Sequence, residues 1–154
     1  MDFPILSFPK YEFRFSSGNA DGQRLKIFDI VREKYVVLTP EEWVRQHLVH
    51  YLLNEKLFPR SLMSVEKMLK VNGLNRRYDL VAYSRNHLPS VLAECKSPFV
   101  AITQEAFDQA ARYNLSTAAN YFVLSNGLNT FCCTMDHERK QYQFLKEIPL
   151  FANL

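Results

Sequence analysis

The sequence contains little glycine and cysteine, with only four Gly and three Cys among 154 residues. Nowhere does it contain about 18 uninterrupted apolar residues, the length that a membrane-spanning helix requires. The N-terminus lacks a basic segment followed by a long apolar stretch, so it does not have the pattern of a secretory signal. We therefore expect a cytoplasmic protein that does not associate with a membrane.

The three cysteines, Cys95, Cys132 and Cys133, form neither an even framework nor a CxxC spacing. This pattern disfavours disulfides and zinc, and we expect free, mostly buried thiols. His47 and His50 lie three residues apart, but no Cys and no second His pair completes a tetrahedral zinc set. The chain also lacks a GxxxxGK(S/T) loop, which excludes a P-loop motor within it.

The composition is that of a folded protein, with 47% hydrophobic and 23% charged residues. A length of 154 residues fits one domain, which we place at 1–154. The net charge of +3 permits a polyanionic partner but does not identify one, because 19 basic residues are set against 16 acidic residues.

The order of apolar and turn-forming residues predicts alternating strands and helices. The first helix has the clearest start, with Thr39 as N-cap, Pro40 at the first helical position and Glu42 three residues beyond the cap. This order predicts an α/β fold with a mixed central sheet flanked by helices. The predicted elements are two strands over 25–37 after a turn at 18–22, a helix over 38–56, strands over 61–70, 77–84 and 89–96, a helix over 103–118, and strands over 121–124, 129–134 and 142–146.

The residues that carry chemistry lie in 77–83 (RYDLVAY) and 91–98 (VLAECKSP). Side chains alternate along a strand, so Glu94 and Lys96 project to the same face. If Asp79 lies on the partner strand of a hairpin, its carboxylate can converge with that of Glu94 to bind a hard cation such as Mg²⁺. Lys96 would then orient or deprotonate the attacking water, and the metal would stabilise charge on a phosphoryl group. Such a site hydrolyses phosphodiesters.

A structural interpretation of these three residues is the alternative: Asp79 caps a turn, and Glu94 pairs with Lys96 or Lys67. The order D…ExK recurs by chance, so the motif alone favours this alternative. The context favours function, because Asp79 begins one β-rich run, the Glu94 and Lys96 pair ends the next run, and a predicted helix follows.

Four segments within about 35–127 carry a resemblance to a known family, namely YVVLTPEEWVRQ, RRYDLVAY, VLAECKSP and QAARY. They resemble the PD-(D/E)xK nuclease superfamily and, more closely, the N-terminal nuclease domain of type I restriction enzyme R subunits. The resemblance implies a restriction-endonuclease-like fold and a DNA endonuclease that depends on Mg²⁺ or Mn²⁺. It also implies that Asp79, Glu94 and the backbone carbonyl of Cys95 bind the metal and that Lys96 is the catalytic lysine.

The resemblance further implies a supporting Gln-xxx-Tyr motif on the following helix, which Gln109 and Tyr113 match. Residues four apart share one face of a helix, so both could reach the metal site or a DNA phosphate. Spacing alone equally allows Tyr113 in the core and Gln109 in solvent. One departure is Tyr78, which stands at a loose position where the superfamily name has Pro.

Two glutamates at the start of the first helix are predicted to have different roles. Glu42 occupies the capping-box position and should reach back to the Thr39 amide. Glu41 falls within the apolar stripe of the helix and should face inward. The related nucleases carry a Glu four residues before an Arg, as Glu41 stands before Arg45. We therefore predict Glu41 to be a third acidic group beside the metal.

Four basic residues on predicted strands around the site are candidate phosphate contacts: Lys67, Lys70, Arg76 and Arg77. A solvated β surface explains them equally well. The expected partners are DNA and either a second copy of the chain or a separate motor or specificity subunit. The alternative function is a non-cleaving nucleic-acid-binding or accessory module with the same fold.

Overall fold

The computed structural model describes residues 3–17 and 22–154, so most of the predicted turn at 18–22 lies outside the described residues. Within that part of the chain, nine strands and two α-helices follow the predicted order. The helices are α1 (Pro40–Asn54) and α2 (Gln104–Asn114). The strands are β1 (Phe15–Ser16), β2 (Lys26–Asp29), β3 (Lys34–Val37), β4 (Met63–Val71), β5 (Leu74–Tyr83), β6 (Pro89–Cys95), β7 (Tyr121–Ser125), β8 (Thr130–Asp136) and β9 (Gln141–Leu145).

The larger sheet has six strands in the order β4-β5-β6-β7-β8-β9. Strands β6 and β7 are parallel and the other neighbours are antiparallel, so the predicted α/β fold with a mixed sheet is confirmed. The N-terminal strands differ from the prediction of a pair, because they form a separate three-stranded antiparallel sheet in the order β1-β2-β3. Helix α2 is also shorter than predicted and ends at Asn114.

The two helices pack against opposite faces of the larger sheet. In the paired segments 80–82 of β5 and 91–93 of β6, successive residues alternate between these faces, as the period of a strand requires. Leu80 and Ala93 belong to the core cluster that contains the apolar residues of α1. Val81 and Leu92 belong to a second cluster, which contains Phe107 of α2. The β5-β6 hairpin therefore lies between the two helices, with one face toward α1 and the other toward α2.

Helix α1 begins where the sequence predicts, with the Thr39 Oγ1 atom accepting a hydrogen bond from the Glu42 amide at 3.1 Å. The N-terminal segment covers part of this helix with aromatic side chains. The ring of Phe13 lies 4.8 Å from each of the rings of His47 and His50, measured between centroids. Because both the sheet and this segment pack on α1, the helix is buried on more than its apolar stripe.

The turn between β7 and β8 requires a glycine for two reasons. Gly127 has a φ of +83°, in the left-handed region that side chains rarely adopt. A Cβ atom there would lie 2.7 Å from Cδ2 of Leu6 and 3.1 Å from Cγ2 of Val44. The same turn holds the N-terminal segment, because the Ser7 amide donates to the Gly127 carbonyl at 2.7 Å.

The predicted state of the cysteines is confirmed, because all three are free and buried. Burial raises the pKa of Cys132 to about 12, so its thiol stays protonated at neutral pH. In residues 3–17 and 22–154, no helix is both long enough and apolar enough to cross a membrane.

Candidate active site

Asp79 and Glu94 lie at neighbouring positions on the central hairpin. The ladder pairs Leu80 with Ala93, and each carboxylate lies one residue beyond that pair. The Oδ2 atom of Asp79 accepts a hydrogen bond from the Cys95 amide at 2.8 Å, which fixes the carboxylate against β6. The charges of Glu94 and Lys96 both act on the ionisation of Asp79. The structure thus brings Asp79 next to the Glu94 and Lys96 segment, as the sequence predicts.

The groups around Asp79 do not fully offset the cost of burying its negative charge. Burial raises the pKa of its carboxyl above the ordinary value, and the charge of Glu94 acts in the same direction. The Cys95 amide and the Arg45 guanidinium lower this pKa without offsetting burial fully. A cation beside Asp79 would therefore stabilise its charged form.

A cleft of about 360 Å³ lies between the end of β6 and helix α2. Its lining includes four of the residues predicted to be catalytic, namely Glu94, Lys96, Gln109 and Tyr113. The side chains of Lys96 and Gln109 are exposed, and Tyr113 is 41% exposed, so the tyrosine is not a core residue. The rest of the lining is mostly apolar and comes from α2, from the loop between Lys96 and α2, and from Leu124 of β7.

Arg76 also lines this cleft, where it contacts two of the predicted site residues. Its Nη2 atom donates to Oε1 of Glu94, and its guanidinium lies over the ring of Tyr113 at 4.0 Å from the centroid. The other candidate phosphate contacts are exposed: Lys67 and Lys70 lie on β4, and Arg77 lies on β5.

The prediction that Glu41 faces inward is wrong. Glu41 is exposed, whereas Glu42 is only 5% exposed. The Oε1 atom of Glu42 accepts hydrogen bonds from Nη2 of Arg32 at 2.9 Å and from Nε2 of Gln46 at 2.8 Å. The carboxylate of Glu42 is thus directed to Arg32 and Gln46 and not to the Thr39 amide, where the capping box would place it.

Arg45 connects Glu42 to the candidate site. Its Nη2 atom lies 3.4 Å from Oε2 of Glu42 and 3.6 Å from Oδ1 of Asp79. Its Nη1 atom lies 3.4 Å from Oε1 of Glu66, which also contacts Arg32 at 3.1 Å. We call these five residues the arginine network. It joins α1, β4 and β5 through two guanidinium groups and three carboxylates.

The sequence did not predict the arginine network. Of its members, only Asp79 was predicted as a site residue, and Arg45 was noted only because it stands four residues after Glu41. One signal was present: Glu42, Arg45 and Gln46 stand at i, i+3 and i+4, so they share a face of α1. Polar residues that share a face on an otherwise apolar helix indicate a buried polar contact. Arg32 and Glu66 lie far away in sequence, and no local pattern connects them with α1.

The residues that could hold a hard divalent cation are those predicted from the sequence, namely the carboxylates of Asp79 and Glu94 and the backbone carbonyl of Cys95. No group of three or more Asp, Glu, His or Cys side chains in the described residues is arranged to hold a metal. Mg²⁺ needs only one or two protein carboxylates when water and substrate phosphate complete its coordination. The donors therefore suit Mg²⁺ or Mn²⁺ better than zinc, which takes nitrogen and sulfur ligands.

The fold and the site together define an α/β protein with two carboxylates on a central hairpin, of which Glu94, together with Lys96, shares a cleft with Gln109 and Tyr113 of α2. Residues 40–149 match the family model of the type I restriction enzyme R protein N terminus. The chain belongs to this family, which confirms the resemblance found in the sequence and makes it a restriction-related domain. A search of curated proteins found no match.

Proposed function

We propose that the chain is a metal-dependent nuclease with a restriction-endonuclease-like fold that hydrolyses phosphodiester bonds in DNA. The supporting observation is the cleft in which Glu94, Lys96, Gln109 and Tyr113 meet, with Asp79 fixed beside it by the Cys95 amide. Membership of the restriction family supports the same proposal.

Each side chain has a distinct part in the proposed reaction. Asp79, Glu94 and the Cys95 carbonyl would hold Mg²⁺ or Mn²⁺, which when bound would supply Lewis-acid polarisation of the phosphoryl oxygen and a more acidic water. Lys96 orients the attacking water from the open side of the cleft. Gln109 and Tyr113 donate hydrogen bonds to the phosphate from α2, which positions the scissile bond.

Glu42 replaces Glu41 in this proposal, as a positioning residue. Its carboxylate contacts Arg45, and Arg45 contacts Asp79. Glu42 therefore acts on the metal ligand through the guanidinium. The partners that we propose are DNA and either a second copy of the chain, which light scattering would detect, or a separate motor or specificity subunit.

Labelled DNA and RNA substrates incubated with Mg²⁺ or Mn²⁺ test the proposal directly. The DNA set should contain duplex, single-stranded and branched forms. We expect metal-dependent cleavage of DNA that EDTA stops and that Asp79→Asn lacks. Binding of DNA with no cleavage of any substrate would contradict the proposal.

A non-cleaving DNA-binding module is the second candidate function. The observation that favours it is the contact between Arg76 and Glu94, which engages one of the two carboxylates proposed to bind metal. Such a module would bind DNA equally well with Mg²⁺ and with EDTA. A nuclease would lose activity in EDTA, so the same substrate panel separates the two functions.

A further inference from the structure

Arg76 is held inside the cleft by two kinds of contact. Its guanidinium pairs with the Glu94 carboxylate and lies over two aromatic rings, at 4.0 Å from the centroid of Tyr113 and 5.3 Å from that of Tyr78. The side chains of Arg76 and Glu94 are 24% and 15% exposed, so the pair is largely shielded from water. Shielded pairs with cation-π contacts are stronger than ion pairs on an open surface.

Glu94 is at the same time one of the two carboxylates proposed to bind the metal. An oxygen that accepts a hydrogen bond from a guanidinium is less available to a divalent cation, and the two positive charges repel each other. Asp79 has a different environment, because its Oδ2 atom accepts a hydrogen bond from the Cys95 amide and the Arg45 guanidinium lies 3.6 Å from its Oδ1 atom, beyond hydrogen-bond distance. Arg76 and the metal therefore compete for Glu94 in particular.

A DNA phosphate offers Arg76 a second partner of the same charge as Glu94. The guanidinium group matches the oxygens of a phosphate with two parallel hydrogen bonds. Arg76 lines the same cleft as Lys96 and Gln109, so a phosphate bound in this cleft would lie near its guanidinium group. Moving to that phosphate leaves the Glu94 carboxylate open.

We propose that Arg76 couples DNA binding to metal binding: it pairs with Glu94 in the free protein and transfers to a DNA phosphate, which releases Glu94 to the metal. This inference rests on the proposed nuclease function. Coupling between two ligands is reciprocal, so DNA raises the affinity for metal by the factor by which metal raises the affinity for DNA. The site is then assembled when substrate arrives.

Calorimetry with Ca²⁺ tests this coupling in the full chain, because Ca²⁺ also prefers oxygen ligands. Affinity is measured with and without a short DNA oligonucleotide, whose integrity is checked on a gel. For the wild type we expect DNA to raise the Ca²⁺ affinity several-fold. For Arg76→Gln we expect a several-fold higher Ca²⁺ affinity without DNA and a smaller gain than in the wild type when DNA is added, because only the phosphate's own ligation of the ion remains.

Two further variants separate this role from general charge effects and from misfolding. Arg112→Gln removes a positive charge from an exposed position on α2 beside Tyr113 and should behave as the wild type. Arg76→Lys keeps the positive charge but lacks the planar guanidinium group, so it should show weaker coupling than the wild type. This variant tests the proposal if Arg76→Gln does not fold. Circular dichroism reports folding for each variant.

The proposal is overturned if Arg76→Gln binds Ca²⁺ no more tightly than the wild type in the absence of DNA, or if DNA does not raise the Ca²⁺ affinity of the wild type. Its failure is distinguishable from failure of the nuclease function. A wild type that shows the coupling but cuts no substrate with Mg²⁺ or Mn²⁺ keeps the coupling and loses the nuclease function. A wild type that cuts DNA but shows no coupling keeps the nuclease function and contradicts the coupling.

Discussion

Arg45 of α1 lies 3.6 Å from Asp79 of β5, measured between Nη2 and Oδ1, across the interface of helix and sheet. Arg45 is only 7% exposed, and its Nε and Nη1 atoms have no hydrogen-bond partner among the described residues. A buried guanidinium with so few hydrogen bonds depends on nearby negative charge. The position of Asp79 and the stability of α1 are therefore linked through one side chain.

Glu42→Gln tests this link, with the exposed neighbour Glu41→Gln as its matched control. Glu42 and Glu66 each contact both Arg32 and Arg45, and the first change removes the more buried of these two carboxylates. We expect it to destabilise the fold by about 3 kcal/mol, as the loss of one partner in a buried ion pair does. Cleavage should fall as well, because Asp79 loses its support. Melting temperature and cleavage rate, measured for both variants, check this. A Glu42→Gln protein as stable and active as Glu41→Gln would contradict it.

Asp79→Asn should abolish cleavage without lowering the free energy of unfolding at neutral pH. Burial raises the pKa of Asp79 in the folded state, so stability is lost as pH rises from the ordinary Asp pKa through the folded value. A neutral Asn avoids that loss. Its advantage should vanish below the ordinary pKa of about 3.9, where the wild-type carboxyl is protonated in both states.

Urea unfolding of the wild type and Asp79→Asn at neutral and acidic pH measures this difference. A variant that is less stable than the wild type at neutral pH would show that the contacts with Arg45 and the Cys95 amide outweigh the cost of burial.

Lys96→Ala should lower the turnover number by about a hundredfold or more, the range for loss of a group that assists proton transfer. The fold and the metal affinity should be unchanged, because Lys96 is exposed and does not bind the metal. Single-turnover cleavage and calorimetry measure the two quantities separately. Lys146→Ala is the control for the loss of an exposed charge outside the cleft.

Lys67→Ala, Lys70→Ala and Arg77→Ala should weaken DNA binding uniformly across sequences. Each side chain is exposed on β4 or β5, and removing one that binds a phosphate should reduce the slope of log affinity against log salt by about one. Fluorescence anisotropy over a range of salt concentrations measures the slope. Lys146→Ala is the control. If the three variants have the same slope of log affinity against log salt as this control, these side chains do not contact DNA phosphates.

Gly127→Ala should be more destabilising than Gly73→Ala, although both glycines have a positive φ. A Cβ at Gly73 meets nothing within 4 Å, so that change reports the backbone cost alone. A Cβ at Gly127 would clash with Leu6, and we expect roughly 1–3 kcal/mol more, as for an overpacked core. Leu6→Ala in the Gly127→Ala background should recover part of the difference in chemical unfolding. If Gly127→Ala and Gly73→Ala lose the same free energy of unfolding, the contact with Leu6 does not limit position 127.

Local patterns predicted most elements of this fold because their causes are local. Thr39 and Pro40 specify a helix start through a cap and a fixed φ, and the start is found there. The alternation around Glu94 and Lys96 predicted one face for both side chains, and both line the same cleft. These predictions needed only the period of the strand and the chemistry of the cap.

The error at Glu41 has a physical cause. An apolar stripe marks the inward face of a helix that packs on one side only, but α1 is covered by the sheet and by aromatic residues of the N-terminal segment. Its first turn also meets Arg32, which follows β2. The direction of Glu42 is therefore decided by a charge that lies ten positions earlier and approaches only in the folded chain.

The family-matched stretch, 40–149, lacks the N-terminal segment that packs on α1 in this structure. A fragment cut at its first residue would lose the Phe13 ring over His47, the Leu6 side chain beneath Gly127 and the Arg32 partner of Glu42. Apolar surface would become exposed and a buried carboxylate would lose a counter-charge at once. Such a fragment would be prone to aggregate, so an expression boundary belongs upstream of Leu6.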